Sequence, residues 1–451
     1  MLPKEIIPLL PFLVSLFTVV YVMPNLARIA RSIGLLDRPG EKRKVHSVAR
    51  PLVGGIGMLF SALFSVMLFS DISGFHGLFL GLALLVVTGF VDDFRELDPK
   101  RKFYVQIVAA LFIIFFDNTT LTSFGNLLAT GAINLPPTEI IIWPITIFCV
   151  VGVINALNLM DGLDGLAGGI SFIVFIFYSI HAFIGGQTNL ALLNLAFAGA
   201  LLGFLHFNWS PAVVFMGDSG SLCLGFVLAF MSLKLTQGPH ASMSPVIAMI
   251  SLAIPITDTI TVMTKRLLRK RNPFLADQQH LHHILMRCGM DRENVVKTIL
   301  TATVLVNIAG LVISNNNWPD WVPFLVYFTF LALYFTASLF IHHATRISLR
   351  YQRNHAKLEK RSTIEILARK VLDRVDLLRI FRKEKRYRIQ LPVTVNLLNG
   401  KELQGTLENF SLKGCMLALP KLTTLQNKVQ ICLDLPFGER TVPIKLGAEH
   451  L

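Results

Sequence analysis

Long apolar runs, broken by short polar loops, recur along the first three quarters of the chain. Runs near the 20 residues that an α-helix needs to cross a bilayer can be read at roughly 7–30, 52–70, 76–91, 103–116, 138–154, 166–184, 189–207, 219–235, 244–264, 296–314 and 322–342. The first run lacks a small-residue cleavage site and is too long for a signal peptide, so it reads as a retained anchor. Beyond Ile341 the pattern changes twice. Residues 343–380 intersperse Leu358, Ile364, Leu367, Val371, Leu372 and Val375 among Arg and Lys, as a basic amphipathic connector would. From about Arg382 short alternating segments such as Pro392–Leu397 and Val429–Leu435 are separated by Asn399-Gly400 and Phe437-Gly438, a pattern of strands and turns.

Composition agrees with that pattern. Of 451 residues, 53% are hydrophobic and only 16% charged, which excludes an ordinary soluble globule. The expected fold is an all-α polytopic membrane protein of about eleven transmembrane helices with a small C-terminal cytoplasmic β-barrel-like domain. Its domains are expected at 1–342, 343–380 and 381–451.

Charge supplies an orientation, because short cytoplasmic loops carry the Lys and Arg. Basic residues crowd the loops after the first run (Arg31, Arg38, Lys42, Arg43, Lys44, Arg50), the third (Arg95, Lys100, Arg101, Lys102) and the ninth (Lys265, Arg266, Arg269, Lys270, Arg271). Loops 71–75, 117–137, 185–188, 236–243 and 315–321 have none. The N-terminus is therefore expected outside and the C-terminal domain in the cytoplasm. The net charge of +14 follows from this topology and a basic tail, and no nucleic-acid partner is expected. The five cysteines include no CxxC pair, so neither a disulfide framework nor a structural zinc site is indicated.

Candidate chemistry falls in the expected cytoplasmic loops. Asp92 and Asp93 end an apolar run, where ionised carboxylates are costly unless paired, hydrated or bound to a cation; a helix-end cap is the plainer alternative. Lys100 and Lys102 follow closely enough to hold phosphate oxygens. The loop Asn155-Ala-Leu-Asn158-Leu-Met-Asp161-Gly162-Leu-Asp164-Gly165 combines hard oxygen ligands with glycines, which suits a Mg²⁺-bound diphosphate or, more plainly, a turn with Asx caps. Asn208 and Asp218 lie in the run FNWSPAVVFMGDSGS, where Asp218 could be an N-cap or reach a metal. Asp258 opens the largest basic loop, which ends in PFLADQQHLHH. His280, His282 and His283 resemble metal ligands, but no Cys or Glu stands at zinc spacing. Beside Arg266 and Arg269, they suit the clamping of an anionic phosphate better.

The runs DRPGEKRKVHSVARPLVGGIG, Asp92-Asp93, NALNLMDGLDGLAGG, FNWSPAVVFMGDSGSLCLG and PFLADQQHLHH together resemble the polyprenyl-phosphate N-acetylhexosamine-1-phosphate transferases (glycosyltransferase family 4) over about residues 31–285. The His-Leu-His-His pattern is similar to the branch that uses UDP-N-acetylglucosamine; the branch making peptidoglycan lipid I typically has three consecutive histidines.

This resemblance implies a multi-pass enzyme of the bacterial inner membrane that transfers N-acetylhexosamine-1-phosphate, foremost GlcNAc-1-phosphate, from the UDP-sugar to undecaprenyl phosphate. UMP is released, and O-antigen, exopolysaccharide or another envelope glycan is primed. It implies Mg²⁺, with Mn²⁺ as a substitute, on Asp218 and Asp93, and catalytic roles for Asp92, Asp93, Asp218, His282 and His283. Asp92 deprotonates or positions the lipid phosphate. Lys44, His46, Lys102, Asn155, Asn158, Asp161, Asp164, Asn208, Arg266 and His280 bind substrate. A homodimer stays open, as does a scaffold or receptor that retains the fold and signals through the tail. A lipid-linked sugar transporter would need mid-membrane charge, of which the apolar runs carry almost none.

In the tail, Arg382-x-x-x-Arg386 and Asn409-Phe-Ser411-Leu-Lys-Gly414 resemble the two motifs of a PilZ domain. The resemblance implies cyclic di-GMP on Arg382, Arg386, Asn409, Ser411 and Gly414. A β module used for packing or docking is the alternative.

Overall fold

The computed structural model describes residues 7–37, 49–268, 270, 280–354 and five strands between 387 and 449. The chain divides into two compact units, Met1–Arg374 and Val375–Leu451.

The first unit is a helical bundle. Its long helices are α1 (Leu10–Ile33), α2 (Gly54–Phe69), α3 (His76–Phe94), α4 (Pro99–Asp117), α5 (Glu139–Met160), α6 (Leu166–Ile184), α7 (Thr188–Asn208), α8 (Asp218–Thr236), α10 (Ala253–Leu268), α12 (Arg292–Asn315) and α13 (Trp321–Asn354), with short α9 (Pro245–Ser251) and α11 (Leu281–Arg287). All eleven apolar runs lie on helices, but the number able to span is smaller. Among the described residues eight helices are long and apolar enough to cross a membrane, or nine if α9 and α10, bent by 80° between them, form one span. Two of the expected spans fall short for physical reasons: α2 has only 16 residues, and α4 begins in the charged turn Lys100-Arg101-Lys102 and ends on Asp117. Length differs in the other direction at α13, which continues past the expected limit of 342 to Asn354.

Local chemistry fixes several helix ends. Gly34 takes the left-handed conformation (φ +77°) after α1 and donates its N–H to Ala30 O. Asp98 accepts from Lys100 N at 3.0 Å ahead of Pro99, giving α4 a capped, proline-started first turn. Asp117 at the far end of α4 accepts from Gly77 N and Leu78 N, both at 2.8 Å, and so satisfies the first amides of α3.

Helix α8 is the axis of the bundle: 89% of its most apolar 18-residue window is buried, including Phe226, Val227 and Phe230. With apolar surface on nearly every side it cannot be told from a lipid-facing helix by periodicity. Helix α3 lies against its first turn with almost no clearance. A Cβ at Gly89 would stand 2.3 Å from both the Cα and N of Ser219, so only glycine lets the backbones approach this closely.

In the second unit β3 (Tyr387–Leu397), β4 (Glu402–Ser411), β5 (Gly414–Ala418), β6 (Lys428–Phe437) and β7 (Arg440–Glu449) form one antiparallel sheet in the order β5-β4-β3-β6-β7. Asn409 pairs with Arg388 on one side and Met416 on the other, and Ser411 pairs with Gly414. Phe437 pairs with Arg440 at the predicted Phe437-Gly438 turn. A short ribbon, β1 (Leu36–Asp37) with β2 (Arg50–Pro51), belongs to the first unit. Lys44, His46, Arg382 and Arg386 lie outside the described residues, as does most of the 343–380 connector.

Gly89→Ala is expected to separate α3 from α8. Overpacking of this kind costs about 1–3 kcal/mol, so the thermal midpoint of the detergent-solubilised protein should fall. An unchanged midpoint would mean that the helices are not in backbone contact.

Candidate active site

Three helix ends bring the first carboxylates together. Asp92 and Asp93 come from the last turn of α3, Lys102 from the first turn of α4, and Asp218 opens α8. Lys102 Nζ donates to Asp92 Oδ2 at 3.1 Å and to Asp218 Oδ2 at 2.8 Å, so one ammonium joins two carboxylates that are far apart in sequence. The other oxygens are also held: Leu97 N donates to Asp92 Oδ1 at 2.7 Å, and Asn158 Nδ2 donates to Asp218 Oδ1 at 3.3 Å. Asn158 Nδ2 reaches Ser221 Oγ at 2.8 Å as well, which fixes the end of α5 against α8.

Asp93 has a different task from its neighbour. Its Oδ1 accepts from Asp218 N at 2.8 Å, and its Oδ2 accepts from Ser219 N at 3.4 Å and Ser219 Oγ at 3.0 Å. It caps α8 from another helix and satisfies otherwise orphaned first-turn amides. That occupation argues against metal ligation by Asp93. Asp161 follows α5. Although the residue is partly exposed, its carboxyl is buried, and burial first, then the charges of Asp218, Asp93 and Asp164, push it up to about 7.

Several amide and carboxylate groups expected to meet substrate brace the fold in this structure. Asp164 Oδ2 accepts from Ala212 N at 3.1 Å. Asn208, 4% exposed, accepts from Gly165 N and donates to Val214 O, both at 2.9 Å. These two residues tie the 161–165 loop to the 209–215 segment. Asn155 Nδ2 donates to Gln106 Oε1 at 2.6 Å and to Val151 O at 2.8 Å, which locks α5 to α4 one turn deeper than Asn158.

The histidines meet the 161–165 loop from the start of α11. His280 Nδ1 is 2.8 Å from Asp258 Oδ2, while Asp258 Oδ1 accepts from Leu281 N at 2.8 Å and Tyr334 OH at 2.6 Å. The His282 ring is parallel to that of His280 within 7°, at 6.0 Å, and its centroid lies 4.2 Å from that of His283. A Cβ on Gly162 would be 2.6 Å from His282 Nε2, so any larger residue would displace that ring where the histidine turn meets the aspartate loop. Burial first, then the neighbouring His283 and His280, push His282 down to about 3, against the pull of Asp258. It is therefore neutral at pH 7. Arg266 is buried in the last turn of α10.

Among the described residues no three His, Cys, Asp or Glu side chains converge on one point. The donors therefore build no closed protein cage of the zinc type. Site residues that the sequence did not mark are Gln106, Ser219, Ser221 and Tyr334, together with the bracing role of Asp258. Gln106, a lone amide in an apolar run, was visible as an anomaly. Nothing local to Tyr334 indicates a partner 76 residues away.

Comparison with known proteins accords with this arrangement. The glycosyl transferase family 4 model matches residues 75–236, which run from α3 through α8. The PilZ domain model matches residues 381–447. The chain is 33% identical over 329 residues to the undecaprenyl-phosphate alpha-N-acetylglucosaminyl 1-phosphate transferase of Escherichia coli O157:H7, covering 71% of this chain and 89% of that one. It is 32% identical over 365 residues to the enzyme of the same name from Salmonella typhi, covering 77% and 97%. A protein of Bacillus subtilis (strain 168) named as a probable undecaprenyl-phosphate N-acetylglucosaminyl 1-phosphate transferase is 32% identical over 323 residues, covering 70% and 87%. Matched along nearly the full length of such relatives, this multi-helical membrane protein belongs to glycosyl transferase family 4 and carries a PilZ domain at its C-terminal end.

Proposed function

We propose that the protein transfers N-acetylglucosamine-1-phosphate from UDP-N-acetylglucosamine to undecaprenyl phosphate at the cytoplasmic face of the bacterial inner membrane, priming an envelope glycan. The observation that carries this reading is the Lys102 bridge between Asp92 and Asp218 at one end of the bundle. It offers one mobile cation among several carboxylates, the arrangement wanted where a phosphate and a metal-bound diphosphate must meet. The names of the relatives support the acceptor and the group transferred.

In this reading an oxygen of the lipid phosphate attacks the β-phosphorus of the nucleotide sugar. The new P–O bond forms as the bond to the bridging oxygen breaks, and UMP leaves with that oxygen. Lys102 turns from its carboxylates to the lipid phosphate. Asp92 orients that phosphate; since its second pKa is near 6, it is already largely ionised at pH 7 and needs no strong base. Asp218, with Asp161 beside it, is the site for Mg²⁺, which is commonly held by one or two carboxylates plus substrate phosphates; Mn²⁺ is the expected substitute. When held there, Mg²⁺ would supply charge neutralisation of the diphosphate and so a better leaving group. Asn158 keeps Asp218 aimed, and His282 and His283 face the diphosphate from the start of α11. The PilZ domain is assigned to sense cyclic di-GMP, through Asn409, Ser411 and Gly414 at the β4–β5 turn with Arg382 and Arg386.

Membranes containing the protein, given radiolabelled UDP-N-acetylglucosamine, undecaprenyl phosphate and Mg²⁺, should pass label into extractable lipid. EDTA should abolish transfer, and Asp218→Asn should lower it by at least about a hundredfold. Transfer by neither this nor another UDP-N-acetylhexosamine would overturn the reading.

His282 predicts a pH effect with a definite sign. Its folded-state pKa lies below the ordinary value, so stability is complete above about pH 6.5 and declines as acid protonates the unfolded state preferentially. Between pH 7 and pH 5 the loss should reach about 2 kcal/mol, seen as a falling thermal midpoint, and His282→Asn should flatten that part of the slope. Parallel slopes would place the histidine in water.

Full-length protein should bind cyclic di-GMP at micromolar concentration, and Arg382→Ala with Arg386→Ala should remove the binding. Calorimetry showing no heat with the intact chain would assign the β domain to docking instead.

A further inference from the structure

We infer that Asp258 is a positioning residue that sets the proton location and height of the histidine turn over the aspartate loop, acting through His280. This inference rests on the transferase reading above.

Asp258 is fully buried, and three groups from two parts of the chain converge on it. Its Oδ2 faces His280 Nδ1, and its Oδ1 takes the N–H of Leu281 and the hydroxyl of Tyr334. A buried carboxylate oxygen facing the ring at this distance accepts a proton-bearing nitrogen, so the His280 proton is placed on Nδ1. The Leu281 amide is the first N–H of α11, so the same side chain also pins the start of that helix. Position is then handed on. The His280 ring lies parallel to His282, and His282 rests on Gly162, where even a Cβ would collide. A change in the seat of His280 therefore reaches the Asp161–Asp164 loop in two contacts. Asp258 itself stands behind the histidines, so its part is to place groups that touch substrate.

The carboxamide of Asp258→Asn tests this without changing shape. Its oxygen can still accept from Leu281 and Tyr334, but its NH₂ then faces His280 Nδ1 and forces the other tautomer. In the purified full-length enzyme, we expect the KM for UDP-N-acetylglucosamine to rise between about tenfold and a hundredfold, with the KM for undecaprenyl phosphate within about twofold of wild type and the thermal midpoint unchanged. His280→Asn should behave alike, and the double variant should be no worse than either single one. Tyr334→Phe, which removes one donor, should move the same KM by a smaller factor and serves if Asp258→Asn does not fold. Equal changes in both KM values, additive losses in the double variant, or wild-type kinetics in both Asp258→Asn and Tyr334→Phe would overturn the positioning role. Wild-type protein that transfers no label would instead overturn the transferase reading, and this inference with it.

Discussion

A carboxylate at the edge of a bilayer must be compensated, and the bundle is organised around how that is done. Asp92, Asp93, Asp161 and Asp218 gather at one end of the helices, where leaving them ionised and unpaired would cost several kcal/mol each. Three solutions are used side by side. Lys102 neutralises Asp92 and Asp218, the first amides of α8 engage Asp93, and burial among charges leaves Asp161 near 7. The favourable contacts of Asp92 and Asp218 thus converge on a single ammonium at the end of a flexible side chain.

Everything that holds the cluster is backbone proximity and bracing rather than further charge. The α3–α8 contact at Gly89 brings Asp93 to the amides it caps. Asn155 with Gln106, and Asn208 with Gly165 and Val214, spend their hydrogen-bonding capacity on joining elements. Such buried amides leave few rotamers open, which keeps Asn158 and Asp218 in place before any ligand arrives. Preorganisation of this kind lowers the reorganisation that a charge-transfer step must otherwise supply.

Much of this was legible in the chain because membrane helices are signalled by length and hydropathy alone. All eleven apolar runs are helical, and Asp92, Lys102, Asn158, Asp161 and Asp218 meet as their loops suggested. What sequence reading missed lies where residue type does not determine partner. Asp93 is chemically the twin of Asp92, and only the position of α8 makes it a cap. Asp164 and Asn208 look like ligand groups until the 209–215 segment is seen against them. The α9–α10 bend was invisible because both pieces are apolar, so one continuous run hides an 80° turn. Tyr334 and Asp258 are joined only by tertiary packing.

Helix α13 is the longest of the described helices. Its 34 residues extend for about 50 Å at 1.5 Å per residue, more than a bilayer's hydrocarbon thickness requires. After Pro323 it contains neither proline nor glycine, the usual places where a helix yields. Midway along it, Tyr334 grips Asp258 and Ser338 meets Lys265, one turn apart on the same face. A stiff rod held at its middle by two hydrogen bonds acts as a splint for α10. With neither proline nor glycine along the shared face, the two helices keep one register there.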